Sequence, residues 1–254
     1  MNLFADNNHL NIFVILVSVL LLAAIVYIRY LLFSGVYYLF FYKWFQKTFT
    51  KRLLHKKKWK KRQVKKELYY SLLSGFIFSV VIIITFILYL ERYTKVYKNT
   101  NDFGLWYIPA SVFLVLFLQD TYYYWMHRWM HKPNIYKYFH LVHHKSVHTT
   151  VFTSFSFHPL ETISQAIFIP IIALCIPLHI YAVLSLMVIM TISATINHAG
   201  VEVYPSGKFG NWFKKYFIGA THHDLHHTKF NHNYGLYFTF WDRLMGTEIE
   251  KKKG

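Results

Sequence analysis

Long apolar stretches without charged residues are the feature that most restricts how this chain can fold. Leu68–Leu90 contains no Asp, Glu, Lys or Arg, and Ile163–Ile196 continues for 34 residues without one. A helix needs about 20 apolar residues to cross the hydrocarbon core of a bilayer, and Leu10–Ile28 is also long enough. Leu105–Met126 is a further candidate, although it contains Asp120. The sequence therefore predicts an all-α membrane protein with several spanning helices.

The stretch Ile163–Ile196 is too long for one straight span. At 1.5 Å per residue a single helix would reach about 51 Å, against a hydrocarbon core of about 30 Å. Pro170 and Pro177 interrupt the stretch. A tight helical hairpin that turns at Pro177–His179 would return His198 to the side where the stretch begins, whereas one tilted span would carry it across. We predict the hairpin, because it keeps all of the histidine motifs on one side.

Positive charge is concentrated in one segment between two spans. The chain carries 28 Lys and Arg against 11 Asp and Glu, a formal charge of +17, and twelve of the basic residues lie in Lys43–Lys66. Membrane proteins place such segments on the cytoplasmic side, next to anionic lipid headgroups. This distribution fits a membrane-facing loop better than a nucleic-acid surface. We therefore expect Lys43–Lys66, the histidine motifs and the C-terminal region on the cytoplasmic face.

Histidines supply the chemistry that the apolar spans lack. Eight of the sixteen in the chain fall into three short motifs, an H-x3-H after the third predicted span and two copies of H-x2-H-H. Residues three or four apart lie on one face of a helix, so each motif directs its imidazoles to one place, as a metal site requires. The eight are His127, His131, His140, His143, His144, His223, His226 and His227.

This donor set favours two redox-active metal ions. Eight or nine neutral imidazoles are too many for one ion, because a structural zinc needs four ligands. Cys175 is the only cysteine, so no thiolate cluster competes with the imidazoles. Imidazole binds iron, zinc and copper, but only a metal that changes its oxidation state can activate dioxygen. We expect two iron ions with dioxygen as co-substrate, and zinc in their place in some purified samples.

Several polar residues near the motifs are candidates to orient the ligands. A metal-bound imidazole usually donates its second N–H to a carboxylate or a carbonyl. Asp120 lies seven residues before His127, two turns back on the same helix face, and an acid inside a span is a functional candidate by default. His222, offset from the third motif, is a candidate additional ligand. The other supporting candidates are His158, which can instead cap a helix, Glu202, which can instead be a ligand, Asp224 and Asp242.

The three motifs, split by an apolar hairpin, resemble the tripartite histidine signature of the sterol desaturase/fatty acid hydroxylase superfamily. The similarity runs from about Arg29 to Thr247. It includes Asn233-Tyr234-Gly235 and Trp241-Asp242-Arg243, an ending that is most similar to the C-5 sterol desaturases.

The resemblance implies one membrane domain over residues 1–254, with a cytosolic histidine-rich cap and a catalytic core at about 105–247. It implies an oxidoreductase that uses two non-haem irons and dioxygen to desaturate or hydroxylate a lipid, such as a sterol or a fatty acyl lipid. Electrons would come from a separate cytochrome b5-like or ferredoxin-like carrier. The resemblance also adds His198 to the predicted metal ligands, whereas Glu202 stands where some relatives have a further histidine.

Two other interpretations stay open from the sequence. Another oxygenase of the same superfamily, such as a carotenoid hydroxylase or an ether-lipid monooxygenase, would use the same motifs. A histidine-rich metal transporter would place its histidines inside spans on opposing helices, whereas the motifs here follow the ends of the spans. We therefore favour a lipid-oxidising enzyme over a transporter.

Overall fold

The computed structural model describes residues 12–55 and 59–250 of the 254-residue chain. This part of the chain is largely helical, which confirms the predicted all-α class. A π-helical turn at Phe40–Trp44 extends the first helix, and 3-10 turns lie at Thr50–Arg52 and Thr153–Phe155. The α-helices are α1 (Ile12–Leu39), α2 (Gln46–Phe49), α3 (Lys61–Leu90), α4 (Tyr107–Met130), α5 (Pro133–Phe139), α6 (Leu141–His144), α7 (Pro159–Ala166), α8 (Phe168–Cys175), α9 (Ile180–His198), α10 (Lys208–Tyr216), α11 (Ala220–Lys229) and α12 (Phe240–Leu244).

Three helices in the described ranges are long and apolar enough to cross a membrane, namely Ile12–Trp44, Lys61–Leu90 and Ile180–His198. They expose many large apolar side chains on their outer faces, as expected of surfaces that lipid covers. The predicted span Leu105–Met126 begins two residues before the continuous helix α4 and otherwise lies within it, and α4 is not among these three. Asp120 and the polar residues near it lower the hydropathy of α4.

The predicted helical hairpin is present. α7 and α8 pack along α3, and α9 returns beside α4. The turn is held by a short parallel pair of strands, Val96–Tyr97 with Leu178–His179. A ring nitrogen of His179 also donates to the carbonyl of Lys98 at 2.9 Å. His198, at the end of α9, therefore lies at the same end of the molecule as the other histidine motifs.

The basic segment between α1 and α3 packs on the residues that follow α9. The hydroxyl of Tyr42 donates to the carbonyl of Ala199 at 2.7 Å, and the amide of Leu54 donates to the carbonyl of Gly200 at 3.0 Å. The described part of the segment and the histidine motifs thus lie at one end of the helices. Lys56–Lys58 and the C-terminal Lys251–Gly254 lie outside the described residues.

α3 packs against its neighbours through small side chains. Ser71, Ser74, Gly75 and Ser79 are all buried along one face of the helix. Gly75 faces Val26 of α1, and a methyl group added to Gly75 would be in ordinary van der Waals contact with the Val26 side chain, at 3.7 Å. Small residues let helix backbones approach in a membrane, where association depends on van der Waals packing.

Candidate metal centre

The nine predicted histidine ligands come together in two buried groups. Within each group, one ring nitrogen of every imidazole lies within 4.8 Å of those of all the others. The first group contains His127, His131, His140, His144 and His226. The second group contains His143, His198, His223 and His227.

Each H-x2-H-H motif is divided between the two groups. His140 and His144 belong to the first group and His143 to the second. In the third motif the order is the opposite: His223 and His227 belong to the second group and His226 to the first. On a helix, positions i and i+4 differ by about 40° and position i+3 lies about 60° to the other side. The motif therefore directs two imidazoles to one centre and the third to its neighbour.

The ring nitrogens in the first group meet at short distances. The Nε2 atoms of His127 and His140 are 2.8 Å apart, and those of His144 and His226 are 2.9 Å apart. Imidazole nitrogens bind a metal at about 2.0–2.1 Å, so two ligands at right angles on one ion lie about 3 Å from each other. The spacing therefore matches adjacent ligands of one ion.

The second group has the same arrangement around His198. Its Nε2 atom lies 3.1 Å from that of His143 and 2.9 Å from that of His223. His227 approaches His223 at 3.2 Å through the same pair of atoms. The four imidazoles thus share one small volume.

Backbone carbonyls fix the tautomer of several of these rings. The Nδ1 atom of His143 lies 3.2 Å from the carbonyl oxygen of Ser156, and that of His198 lies 2.7 Å from the carbonyl of Ala194. A carbonyl only accepts, so Nδ1 carries the proton and Nε2 is left with a lone pair. His127 is held in the same way by the carbonyl of Tyr234 at 2.8 Å.

Burial keeps these imidazoles neutral. It lowers the pKa of His131 to about 2, because the charged form loses its hydration in the interior. Metal binding requires the neutral ring, which the site already provides. Burial, followed by the charges of neighbouring histidines, also lowers the pKa of His140, His143, His144, His223, His226 and His227 well below the ordinary value.

Some nitrogens of the two groups have no other partner. Neither ring nitrogen of His131 has a hydrogen bond within the described chain, and the Nδ1 atoms of His223 and His227 also lack one. Buried polar atoms are almost always satisfied by protein, water or an ion. The Nδ1 atoms of His223 and His227 are on the outer side of their rings, so His131 is the residue here whose unpartnered nitrogen can serve a metal. Together with the spacing and the tautomers, it indicates that the nine residues fit two metal ions.

Glu161 is the acid at this site that the sequence analysis did not select. Its Oε1 atom lies 2.8 Å from Nδ1 of His140, and Gln165 donates to the same oxygen at 3.2 Å. The signal in the sequence is an acid in the first turn of a helix that leads into an apolar stretch. His158 was a candidate partner of a ligand, but its ring instead caps α7 by accepting from the amide of Leu160 at 3.3 Å.

Asp120 binds a loop and not an imidazole, which corrects its predicted role. Its Oδ1 atom accepts the amides of Leu236, Tyr237 and Phe238 at 3.0, 2.7 and 3.2 Å. The prediction assumed that two turns on one helix bring Asp120 to His127, but the loop fills that space. Asp120 therefore acts on the site indirectly, because the same loop supplies the carbonyl that holds His127.

Asp242 holds the other end of this loop. It accepts the amides of Tyr234 and Gly235 at 2.8 and 2.9 Å and the hydroxyl of Thr247 at 2.7 Å. The Nε2 atom of His222 lies 3.7 Å from the carboxylate of Asp242. His222 belongs to neither group, and burial lowers its pKa to about 3. Its predicted role as an additional ligand is therefore not supported.

Glu202 and Asp224 both hold α11, the helix of the third motif. Glu202 accepts the amide of Thr221 at 3.3 Å and its hydroxyl at 2.5 Å, so it caps the start of the helix and is not a member of either group. Asp224 is hydrogen-bonded to the ring of His55 in the basic segment. Neither acid receives an imidazole N–H from the two groups. They position the helix on which His223 lies.

A second buried acid organises the segment after the second motif. Glu67 of α3 accepts hydrogen bonds from the hydroxyls of Ser146, Thr150 and Thr153 at 2.7, 2.6 and 2.9 Å. It also accepts one from the side-chain amide of Gln63 at 2.9 Å. No cation pairs with it among the described residues. Four hydrogen bonds satisfy the carboxylate in place of a positive charge.

An apolar cavity connects the spanning helices to the second histidine group. Its walls come from α1, α3, α4 and the α7–α9 hairpin, and it ends on His198 and His223. It encloses about 1020 Å³ of non-atom space, a figure that includes the open solvent at its mouth. Apolar members of the wall include Phe78, Ile82, Phe155, Ile169, Met187 and Met190.

Comparison with known protein families identifies the same part of the chain. The sequence model of a family described as fatty acid hydroxylase matches residues 112–247, which contain both histidine groups. No solved structure matches the chain significantly.

Sterol-modifying proteins are among the curated relatives. The chain is 37% identical to Delta(7)-sterol 5(6)-desaturase ERG3A of Gibberella zeae over 163 residues, which are 64% of this chain and 44% of that protein. It is 33% identical to lathosterol oxidase of Homo sapiens over 171 residues, 66% of this chain and 56% of that protein. It is 31% identical to Delta(7)-sterol 5(6)-desaturase ERG3 of Saccharomyces cerevisiae, with 66% and 45% covered. The chain thus spans about half the length of these relatives.

Proposed function

This chain belongs to the fatty acid hydroxylase family, and we propose that it is a membrane oxidoreductase that desaturates or hydroxylates a lipid with dioxygen at two iron ions. The proposal depends on one observation, namely that the apolar cavity ends at the second histidine group. Its inner wall includes His198 and His223, two members of the second histidine group. A lipid chain or ring system can lie in this cavity with its carbon atoms against the candidate metal centre.

Iron is the proposed metal because the donor set suits it and because the reaction requires it. Five imidazoles in one group and four in the other are neutral nitrogen donors, which iron accepts. When bound, the two irons would supply the dioxygen reduction and carbon–hydrogen bond cleavage that no side chain here can perform. The residues themselves hold, orient and shield the centre.

The proposed reaction balances only with an external reductant. In desaturation the lipid loses two hydrogen atoms, and these together with two electrons and two protons reduce dioxygen to two waters. In hydroxylation one oxygen atom enters the carbon–hydrogen bond and the other leaves as water, with the same two electrons and two protons. We propose a separate cytochrome b5-like or ferredoxin-like protein as the electron donor.

The surrounding residues have defined tasks in this proposal. The carbonyls of Ser156, Ala194 and Tyr234 each accept a hydrogen bond from an Nδ1–H, so the opposite nitrogen of each ring points to the centre. Glu161 does the same for His140 with a carboxylate, which makes the imidazole a stronger donor. The apolar walls exclude water from the reacting carbon.

The proposed substrate is a sterol, with a fatty acyl lipid as the alternative. The curated relatives are a lathosterol oxidase and sterol 5(6)-desaturases by their names. The proposed location is a multi-pass arrangement with the histidine groups at the cytoplasmic face, which is supported by the basic residues at that end of the helices.

A reconstitution experiment tests the function. Purified protein in lipid nanodiscs is supplied with ferrous iron, a reductant and either a sterol or an acyl lipid, and products are identified by mass spectrometry. We expect a desaturated or hydroxylated product that depends on dioxygen, on iron and on His143. Product formed equally under argon, or by the His143→Ala protein, would contradict the proposal.

A further inference from the structure

Arg29 is an isolated cation within the first candidate span. It lies in the apolar helix α1 and lines the cavity. Its Nε atom is buried without a hydrogen-bond partner, and none of the ion pairs in the described part of the chain includes it. Charged residues inside spans are costly, and they usually pair with one another or mark the path of a substrate. Arg29 has no pair, so its position in the cavity wall suggests a ligand.

Two further buried polar atoms in the same wall lack partners. They are Oγ of Ser154 and Oδ1 of Asn197, and both side chains are almost completely buried. Other polar residues of the wall are satisfied, for example Thr85, which donates to the carbonyl of Val81 at 2.7 Å. The wall thus combines a large apolar surface with three unsatisfied polar groups.

The three groups line one cavity and come from chain segments whose neighbouring residues contact the region of the second histidine group. Asn197 directly precedes His198 in α9, and Ser154 is two residues before the carbonyl that holds His143. Arg29 is next to Tyr30, whose ring stacks on Phe155 with centroids 5.3 Å apart. The rest of the cavity extends along the spanning helices, away from the histidines.

The donor and acceptor pattern selects the kind of head group. The Arg29 Nε–H donates, the Ser154 hydroxyl does both, and Asn197 accepts through Oδ1, because its Nδ2 donates to the carbonyl of Leu236 at 2.9 Å. A hydroxyl group accepts from the first and donates to the last. A carboxylate has no proton to donate, and would leave the amide oxygen unsatisfied.

We propose that Arg29, Ser154 and Asn197 form a subsite that binds the hydroxyl group of a lipid alcohol, while its apolar body extends between the spanning helices. The subsite is assigned to the substrate on the basis of the proposed function above. It places the hydroxyl-bearing end of the lipid near the second histidine group. The carbon that is oxidised therefore lies a few bonds from the hydroxyl and not at the far end of the tail.

Binding to the metal-loaded protein, measured without a reductant so that no turnover occurs, tests this subsite. The probe is dehydroergosterol, a fluorescent sterol with a free hydroxyl, and the competitors are cholesterol, cholestane, which lacks the hydroxyl, and oleate. We expect Arg29→Met to weaken dehydroergosterol binding about tenfold or more, because a charged donor to the hydroxyl is lost. Cholesterol should compete much better than cholestane with the wild-type protein, and the two should be similar with Arg29→Met.

Control variants separate recognition from folding. Arg92→Met removes an exposed arginine outside the cavity, and Ser79→Ala removes a buried hydroxyl that bonds within its own helix. Both should leave dehydroergosterol affinity unchanged. Arg29→Met and Ser154→Ala should weaken binding while leaving the melting temperature equal or higher, since each removes an unpartnered buried group. If Arg29→Met does not fold, Ser154→Ala gives the same test.

Two results would overturn the subsite. One is unchanged dehydroergosterol affinity in both cavity variants. The other is a preference for oleate over cholesterol that disappears in Arg29→Met, which would identify an anion site. A wild-type protein that binds dehydroergosterol through Arg29 yet yields no dioxygen-dependent product would instead contradict the proposed function and leave the subsite intact.

Discussion

The Nε2 atoms of His143 and His198 lie 3.1 Å apart, and neither ring has a proton to place between them. Each ring has donated its one N–H from Nδ1 to a backbone carbonyl, His143 to Ser156 and His198 to Ala194. Two lone pairs therefore face each other in a buried space, which is unfavourable unless a cation binds both. This contact between two helices is the strongest local indication of a metal.

Disrupting either histidine group should remove one metal ion and leave the other bound. We expect about two metal ions per wild-type chain by mass spectrometry of the acid-digested protein. Replacing His143, a member of the second group, or His226, a member of the first, by alanine should each lower that number by about one. Activity should be lost in both variants, because the reaction needs the complete centre.

The matched control is His179→Asn at the opposite end of the helices. His179 caps α9 by accepting from the amide of Tyr181 at 3.1 Å, and asparagine is also a good cap. Metal content should stay at about two. A His226→Ala protein that is folded and still carries two ions would contradict the assignment of the first group.

Removing the charge of Glu161 should weaken metal binding without unfolding the protein. Glu161→Gln keeps the size of the side chain but loses the carboxylate that receives the proton of His140. Partners of this kind change metal affinity by about 10–100-fold. A chelator should therefore remove the metal from the Glu161→Gln protein at a correspondingly lower concentration than from the wild-type protein. Glu67→Gln is the comparison: it should lower the melting temperature and leave metal affinity within about twofold.

Asp120 should matter for stability through its loop. Asp120→Ala leaves the amides of Leu236, Tyr237 and Phe238 without their acceptor. Each unsatisfied buried group costs about 1–3 kcal/mol, so thermal unfolding should shift strongly downward. Asp120→Asn retains an acceptor oxygen and should lose much less. Equal melting temperatures for the alanine variant and the wild-type protein would exclude this role.

The metal-free protein should lose stability as the pH falls below about 6.5. Burial lowers the pKa of His131 to about 2 and that of His223 well below its ordinary 6.5. Between these values and about 6.5 the unfolded chain takes up protons that the folded chain does not, so acid favours unfolding. The melting temperature should decrease steadily from pH 7 to pH 5, and His131→Leu should show a shallower decrease. A flat profile would contradict the neutral, buried state of the imidazoles.

Cysteine labelling should show that the basic segment before α3 and the region after α9 lie on the same side of the membrane. In a Cys175→Ser background, Lys60→Cys and Lys208→Cys should react with an impermeant maleimide from the same side. Asp102→Cys, in the link between α3 and α4, should react only from the other side. Opposite labelling of Lys60→Cys and Lys208→Cys would contradict the proposed topology, in which α9 returns His198 to the other motifs.

The spacing of residues within single helices was enough to select eight of the nine histidines, whereas His198 came from the family resemblance, and span length together with the need to keep the motifs on one side predicted the hairpin before His198. Both inferences depend on local rules, namely the 3.6-residue period that places i, i+3 and i+4 together and the length that a helix needs to cross a bilayer. Local rules also fail where they are extended too far, as with Asp120, which lies on the expected face of α4 but binds a loop from the end of the chain.

The division of the histidines into two groups depends on contacts between distant parts of the chain. His144 meets His226 across 82 residues, and Glu161 meets His140 across 21. No periodic pattern encodes such pairs, because they arise when packed helices bring their faces together. The unpartnered state of Arg29 is of the same kind, since it depends on which residues the described helices bring next to it, and none of their acids forms an ion pair with it. Helical periodicity thus defines which side chains share a face, and the packing of those faces defines which atoms meet.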